Sequence, residues 1–194
     1  MYIAPGVHVA AWKRLSLHDD EPSDWLNAVD ILKRRITNRY IDPVDKLIKS
    51  EEHRPPIEKR FGFTIMAVDC LLVETLSAFR KGLVDTKGKS EKVFSDFLVS
   101  NKEFGFTEEQ AKAVYYHFRC GILHQAEVQQ NSKIWSIGEL INVKSGTEII
   151  INRTKFHEAL KKYMQRYCEE LLSGKDVELR KNFIKKMNFI CRKN

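Results

Sequence analysis

Arg119 and His124 stand in the segment Tyr115-Tyr116-His117-Phe118-Arg119-Cys120-Gly121-Ile122-Leu123-His124-Gln125, with four residues between them. An imidazole of ordinary pKa, about 6.5, takes or gives a proton near neutral pH. A guanidinium holds phosphoryl oxygens through two parallel hydrogen bonds and never loses its charge. That pair suits RNA cleavage. A ribose 2′-hydroxyl attacks the adjacent phosphorus, one group removes its proton, another protonates the leaving oxygen, and the arginine holds the charge that builds on phosphorus. The chemistry needs no metal. Five α-helical steps rotate a side chain by roughly 140°, so a regular helix does not stack the two residues. Gly121 between them is expected to distort the turn, or the site forms in a groove where this helix meets a second element. A two-fold axis along the helix would let two copies of His124 share the acid and base roles.

The neighbours admit other readings. Arg-x4-His is a short pattern with many accidental matches, and a histidine on a helix is more often a surface or satisfied core residue. His117, Cys120 and His124 fall at i, i+3 and i+7, the spacing of a zinc-binding face. One helix rarely supplies three ligands and no fourth lies nearby, so no metal and no cofactor is expected. Cys120 with His117 or His124 as its base would make a nucleophile, but no third residue completes a triad. Glu74, an acid in an otherwise apolar helix, either pairs with Arg119 or faces solvent at an edge. Gln125 either contacts RNA or covers the helix.

Those residues need a scaffold, and the chain is long enough to build one. Its 194 residues suit a single domain of about 100–200 residues. Apolar residues make up 43% and charged residues 30%, and eleven Phe, six Tyr and three Trp give a core to bury, which excludes a disordered chain. The net charge of +7 favours polyanionic partners, although charge alone also fits a solvated basic surface. Cys70, Cys120, Cys168 and Cys191 form no CxxC pair, which argues against a zinc ribbon or disulfide framework and predicts a reducing, cytoplasmic setting. No signal peptide is read at the start: the run Val7–Trp12 is short and lacks a preceding basic residue. Phe61–Phe79 is the most apolar segment. Asp69 and Glu74 at its centre argue against a membrane span and for a helix packed all round.

Periodicity predicts mostly helix. Residues 1–22 read as an irregular arm. Ser23 or Asp24 is expected to cap a helix with a stripe of Trp25, Val29, Leu32 and Ile36, which Pro43 breaks or kinks. The central helix is expected over about 60–81, with Gly82 at its C-cap. A short helix from Ser90 turns Val93, Phe94, Phe97 and Leu98 inward. Thr107 and Gln110 form a capping box, and the helix they start is expected to run to about Val128. A β-hairpin is read at about 134–152, its strands Leu140–Val143 and Glu148–Ile151 joined by the turn Lys144-Ser145-Gly146-Thr147. Asn152 or Thr154 caps a helix ending at Gly174. A basic amphipathic helix follows at about 176–192. It carries Lys181, Lys185 and Lys186 as candidate RNA-binding side chains, although packing its stripe is the commoner fate.

Arg119-Cys120-Gly121-Ile122-Leu123-His124 resembles the Arg-x4–6-His motif of the HEPN superfamily, late in a long helix that follows an apolar helix bearing an acid. The resemblance covers roughly residues 24–172, and its specific part is those six residues. It implies a HEPN-like helical bundle over residues 23–194 with one inserted hairpin, and a homodimer in which the motif helices face each other. It also implies a metal-independent endoribonuclease, with RNA as substrate and an antitoxin or defence-system protein as partner. Arg119 and His124 would be the motif pair. Where the family often has Asn, Asp or His after the arginine, this chain has Cys120. Some members of the family bind RNA, nucleotides or proteins without cutting, and a purely structural adaptor bundle is the third reading.

Overall fold

The computed structural model describes residues 1–18, 21–144 and 148–192. The chain is mostly helical with small sheets. It folds as two compact units: Met1–Pro43, Ala78–Asp85 and the chain from Met164 in one, Val44–Ser77 and Thr86–Tyr163 in the other.

The first unit opens with order where the sequence suggested an irregular arm. β1 (Tyr2–Ala4) and β2 (Val7–His8) form an antiparallel hairpin, and α1 (Val9–Lys13) follows with the His8 ring capping Ala10 N. Ile3 and Ala4 are fully buried, and Arg35 donates to the Ile3 carbonyl at 2.5 Å. Strands of two or three residues are too short to show alternation, which is why they are not legible beforehand. α2 (Pro22–Ile36) starts one residue before the expected caps, with proline in the first turn, where its missing N–H costs nothing. Asp24 instead accepts from Ser16 N at 2.6 Å. Pro43 does not end the helical run. A π turn (Thr37–Ile41) precedes α3 (Asp42–Ser50), and the wider turn accommodates the proline just after it.

Phe183 centres this unit's core, with the rings of Trp12, Trp25 and Phe79 at 5.6, 6.3 and 6.2 Å. It lies on α9 (Val177–Arg192), whose Leu179 and Met187 are buried as the stripe predicted. Arg180 on the same helix is a packing residue. Its guanidinium covers the Trp25 ring at 4.0 Å, and its Nε donates to the Leu171 carbonyl. Gly82 ends the central helix as expected. It takes φ +61, Gly82 N bonds Phe79 O, and Leu83 N bonds Ala78 O, the paired bonds of a Schellman cap.

The second unit holds α4 (Gly62–Arg80) as far as Ser77, α5 (Ser90–Ser100), α6 (Glu108–Val114), α7 (Gly121–Gln125) and the start of α8 (Arg153–Ser173). The capping box forms as read: Gln110 N donates to Thr107 Oγ1 and Thr107 N to Gln110 Oε1. Phe97 packs on Tyr163 at 4.5 Å and Phe104 on Phe156 at 5.2 Å. Burying each such ring stabilises by about 1.5–3 kcal/mol. Asn152 is the N-cap of α8, accepting from Thr154 N and Lys155 N.

The expected hairpin is part of a larger sheet. β4 (Ile141–Val143) pairs antiparallel with β5 (Ile149–Asn152) as read, but β3 (Lys133–Trp135) pairs parallel with the other edge of β5. β5 is therefore central and buried throughout, which explains its unbroken β-branched run. Of the expected turn, Ser145, Gly146 and Thr147 lie outside the described residues.

Among the described residues one helix, α4, is long and apolar enough to cross a membrane. Just over half of its most apolar window, 56%, is buried inside the structure. Asp69 is fully buried on it, with the His157 ring at 2.8 Å. Burial pushes the Asp69 carboxyl up, against the pull of His157.

Candidate functional site

Between α6 and α7 the helix widens into a π turn over Tyr115–Cys120. Gly121 N bonds the Tyr116 carbonyl, five residues back. The His117 carbonyl, which an α-helix would pair with Gly121 N, accepts from Gln129 N at 3.0 Å instead. α7 then stops at Gln125, short of the expected Val128, because Ala126 turns left-handed and the chain doubles back over Gly121. Only glycine fits there. A Cβ on residue 121 would lie 2.4 Å from the Glu127 carbonyl oxygen and 3.3 Å from Gln129 Cγ. Gly121→Ala is expected to lower stability by about 1–3 kcal/mol in urea unfolding, an overpacking cost that exceeds alanine's helix preference of about 1 kcal/mol. A more stable variant would mean that this return loop does not hold the turn.

The π turn includes Arg119 and ends at Cys120, and the long arginine side chain reaches His124 on α7. Arg119 Nη1 lies 3.2 Å from His124 Nε2. Arginine can only donate, so His124 Nε2 is the acceptor in this contact. Arg119 Nε donates to Glu74 Oε1 at 2.7 Å, with the two side chains 18% and 15% exposed. Of the two readings of Glu74, this is the pairing one. Glu74 Oε2 accepts from Thr86 Oγ1 at 3.0 Å, and Ser90 Oγ donates to the Thr86 carbonyl at 3.2 Å. The chain Ser90–Thr86–Glu74–Arg119–His124 thus runs from the loop after α4 to an exposed imidazole.

Electrostatics favour a fixed cation. Burial works against the Arg119 charge, but the bond and charge of Glu74 outweigh it and raise the arginine pKa further. The Arg119 guanidinium carbon lies 5.5 Å from the Tyr115 ring centroid. Burial, then the neighbouring Cys120, pushes the Tyr115 phenol up to about 12, so it stays neutral at working pH. A guanidinium has five N–H donors, so the bonds to Glu74 and His124 do not exhaust it.

Other candidates fall elsewhere. His117 is buried and turns to Ser132 Oγ at 3.0 Å, the same hydroxyl that accepts from Ile149 N. It ties the motif helix to β5, and burial lowers its pKa so that it stays neutral at pH 7. Cys120 is half-buried beside Tyr115. Gln125 is exposed at the end of α7. Among the described residues no group of three or more His, Cys, Asp or Glu side chains is placed to share a metal ion. Lys181 and Lys185 are exposed on α9 in the other unit, and Lys186 Nζ donates to the Val84 carbonyl at 2.8 Å.

Sequence reasoning missed Thr86, Ser90, Lys89 and Lys92. They belong to the polar run after α4 and the first turn of α5, which read as a plain loop and helix start. An open cleft of about 440 Å³ lies there, lined by Lys89, Lys92, Glu91 and Tyr115 among others. Tyr116 OH donates to Glu91 Oε2 at 2.5 Å on the same side. The only pointer in the sequence was the density of small polar and basic residues in Thr86-Lys87-Gly88-Lys89-Ser90.

Comparison of the chain with protein-family models, curated proteins and solved structures finds no match.

Proposed function

We propose that this chain is an endoribonuclease of the HEPN type, cutting RNA without a metal ion through Arg119 and His124. The observation that carries the reading is the contact of Arg119 Nη1 with His124 Nε2, with the guanidinium held from behind by Glu74. Two side chains that a regular helix would separate converge on one exposed spot. The scissile phosphate takes the place of His124 on the guanidinium. The freed imidazole Nε2, carrying a lone pair, accepts the 2′-hydroxyl proton as oxygen attacks phosphorus. The P–O5′ bond then breaks, and a protonated imidazole delivers a proton to the departing oxygen. One chain supplies one such histidine, so the acid is assigned to His124 of a second copy across a two-fold axis. Tyr116 and Leu123, 48% and 47% exposed on the motif helix, support a face that another copy covers. The net charge of +7 and the lysines beside the cleft suit an RNA strand.

The test is direct. Purified protein with a mixed RNA pool and excess chelator is expected to yield 5′-hydroxyl ends and 2′,3′-cyclic phosphates. Cleavage that appears only when a divalent metal is added would overturn the mechanism. No cleavage of any RNA, with binding that depends on Arg119, would leave a non-cutting RNA-binding domain of the same kind.

A further inference from the structure

A cavity of about 370 Å³ opens in the second unit where β3 runs past the turn at Pro56–Glu58 and the start of α8. It shares no lining residue with the cleft at Lys89 and Tyr115. Its size falls in the range of small-molecule sites, about 300–1,000 Å³. The walls are largely apolar. Ile57, Trp135 and Ile137 line it and are 93%, 44% and 49% exposed, a grouping that a soluble surface rarely leaves open without use.

Three polar side chains break this apolar lining. Arg153 is only 2% exposed, and its Nη2 is bound to Glu51 Oε2 at 2.5 Å. Its Nη1 is buried with no hydrogen-bond partner among the described residues, and so is Ser136 Oγ. Buried donors are nearly always satisfied, and a buried guanidinium nitrogen is among the costliest to leave alone. Both residues line the cavity. Lys59 lines it too and has no ion-pair partner among the described residues, whereas Glu51 balances the Arg153 charge. The residues that line the cavity therefore carry two orphaned donors and one positive charge with no ion pair among the described residues, on an apolar bed.

We propose that this cavity binds a small carboxylic acid with an aromatic or branched apolar body. The carboxylate accepts from Arg153 Nη1 and Ser136 Oγ within reach of the Lys59 charge, and the body packs against Ile57, Trp135 and Ile137. A planar two-oxygen acceptor matches a guanidinium edge. A phosphate fits worse, because a more highly charged, more hydrated group would meet isoleucine on most sides. A neutral amide would leave the Lys59 charge unanswered.

The proposal is tested on the full chain by calorimetry and tryptophan fluorescence, with benzoate, phenylacetate and 4-methylpentanoate as probes. Benzyl alcohol and phenylacetamide serve as neutral counterparts. At least one acid is expected to bind with Kd below about 1 mM and about tenfold tighter than its neutral counterpart, the gain of a charge-assisted bond. Ser136→Ala and Lys59→Met should each weaken binding several-fold, and Ile137→Glu should abolish it while circular dichroism stays unchanged. Three outcomes would each overturn the idea: no acid binding at that concentration, neutral counterparts binding equally well, or affinity untouched by these variants. None of these readouts involves RNA, so the nuclease reading stands or falls separately.

Discussion

His124→Ala is expected to cut the single-turnover rate of RNA cleavage by about 10²–10⁴-fold, the range that one positioned proton-transfer group contributes. Arg119→Ala should cost about 10²–10³-fold, the usual loss when a group that holds transition-state charge is removed. The two losses should not add. Residues that act on one phosphodiester work as a unit, and the double variant should fall little below the worse single one. Arg119→Lys should not restore activity. An ammonium keeps the charge but cannot bond Glu74 through one nitrogen while presenting others to phosphate. Folding is a manageable confound: His124 is exposed, and the Arg119 side chain is 18% exposed. His124→Ala should therefore unfold at nearly the wild-type urea concentration. A His124→Ala protein that cuts at the wild-type rate would sink the proposed chemistry.

The lysines Lys89 and Lys92 bear on the same site in a different way. They line the cleft that Tyr115 also lines, and Tyr115 sits beneath the Arg119 guanidinium. On the proposed nuclease reading their charges would hold RNA backbone, where each contact positions the strand without reading its sequence. The candidate site is thus asymmetric: the half-buried Glu74 and two hydroxyls brace the arginine, and solvent reaches the histidine.

How much of this was legible in the sequence follows from the range of each signal. Helix ends were readable where one side chain or one glycine decides them. Thr107 and Gln110 cap each other within four residues, and Gly82 takes a left-handed turn that few other residues adopt. The buried stripes of α5 and α9 were readable because a 3.6-residue period repeats within a single element. β3 was not, since Lys133-Ile134-Trp135 is three residues long and its parallel partner lies at Ile150–Asn152. Convergence of Arg119 and His124 on one phosphate was expected on chemical grounds, through a distortion at Gly121 or a groove against a second element. The structure has a π turn over Tyr115–Cys120, and Gly121 just after it admits the Glu127 carbonyl. Pairing with Arg119 was one of two readings of Glu74, but Thr86 and Ser90 were not named. A threonine in a polar loop carries no mark of the carboxylate it will reach twelve residues back.

The largest stability effect is expected at the buried Arg153–Glu51 pair of the second unit. Arg153 and Glu51 are 3% and 1% exposed in their side chains and bonded at 2.5 Å. Glu51 Oε1 also accepts from Arg60 N and Phe61 N, so one carboxylate fixes the chain just before α4 and the first turn of α8. Arg153→Met leaves that carboxylate buried without its cation, a change that typically costs about 3–5 kcal/mol. Glu51→Ala strands the guanidinium and two backbone donors and should cost a similar amount. The double variant Glu51→Leu with Arg153→Met should be less damaging than the sum of the singles, because each single replacement pays mainly for the orphan it leaves. The pH dependence has a definite sign. Burial raises the Glu51 pKa, but the bonds from Arg60 N, Arg153 and Phe61 N outweigh it and hold the carboxyl below the ordinary glutamate range. A depressed folded-state pKa gives stability that is present above the unfolded value, about 4.3, and is lost as pH falls through the folded one. Urea midpoints should therefore drop below about pH 4 in the wild type, and Glu51→Gln should flatten that acid limb. An Arg153→Met protein with the wild-type midpoint and the wild-type acid limb would show that the buried pair does not anchor this part of the fold.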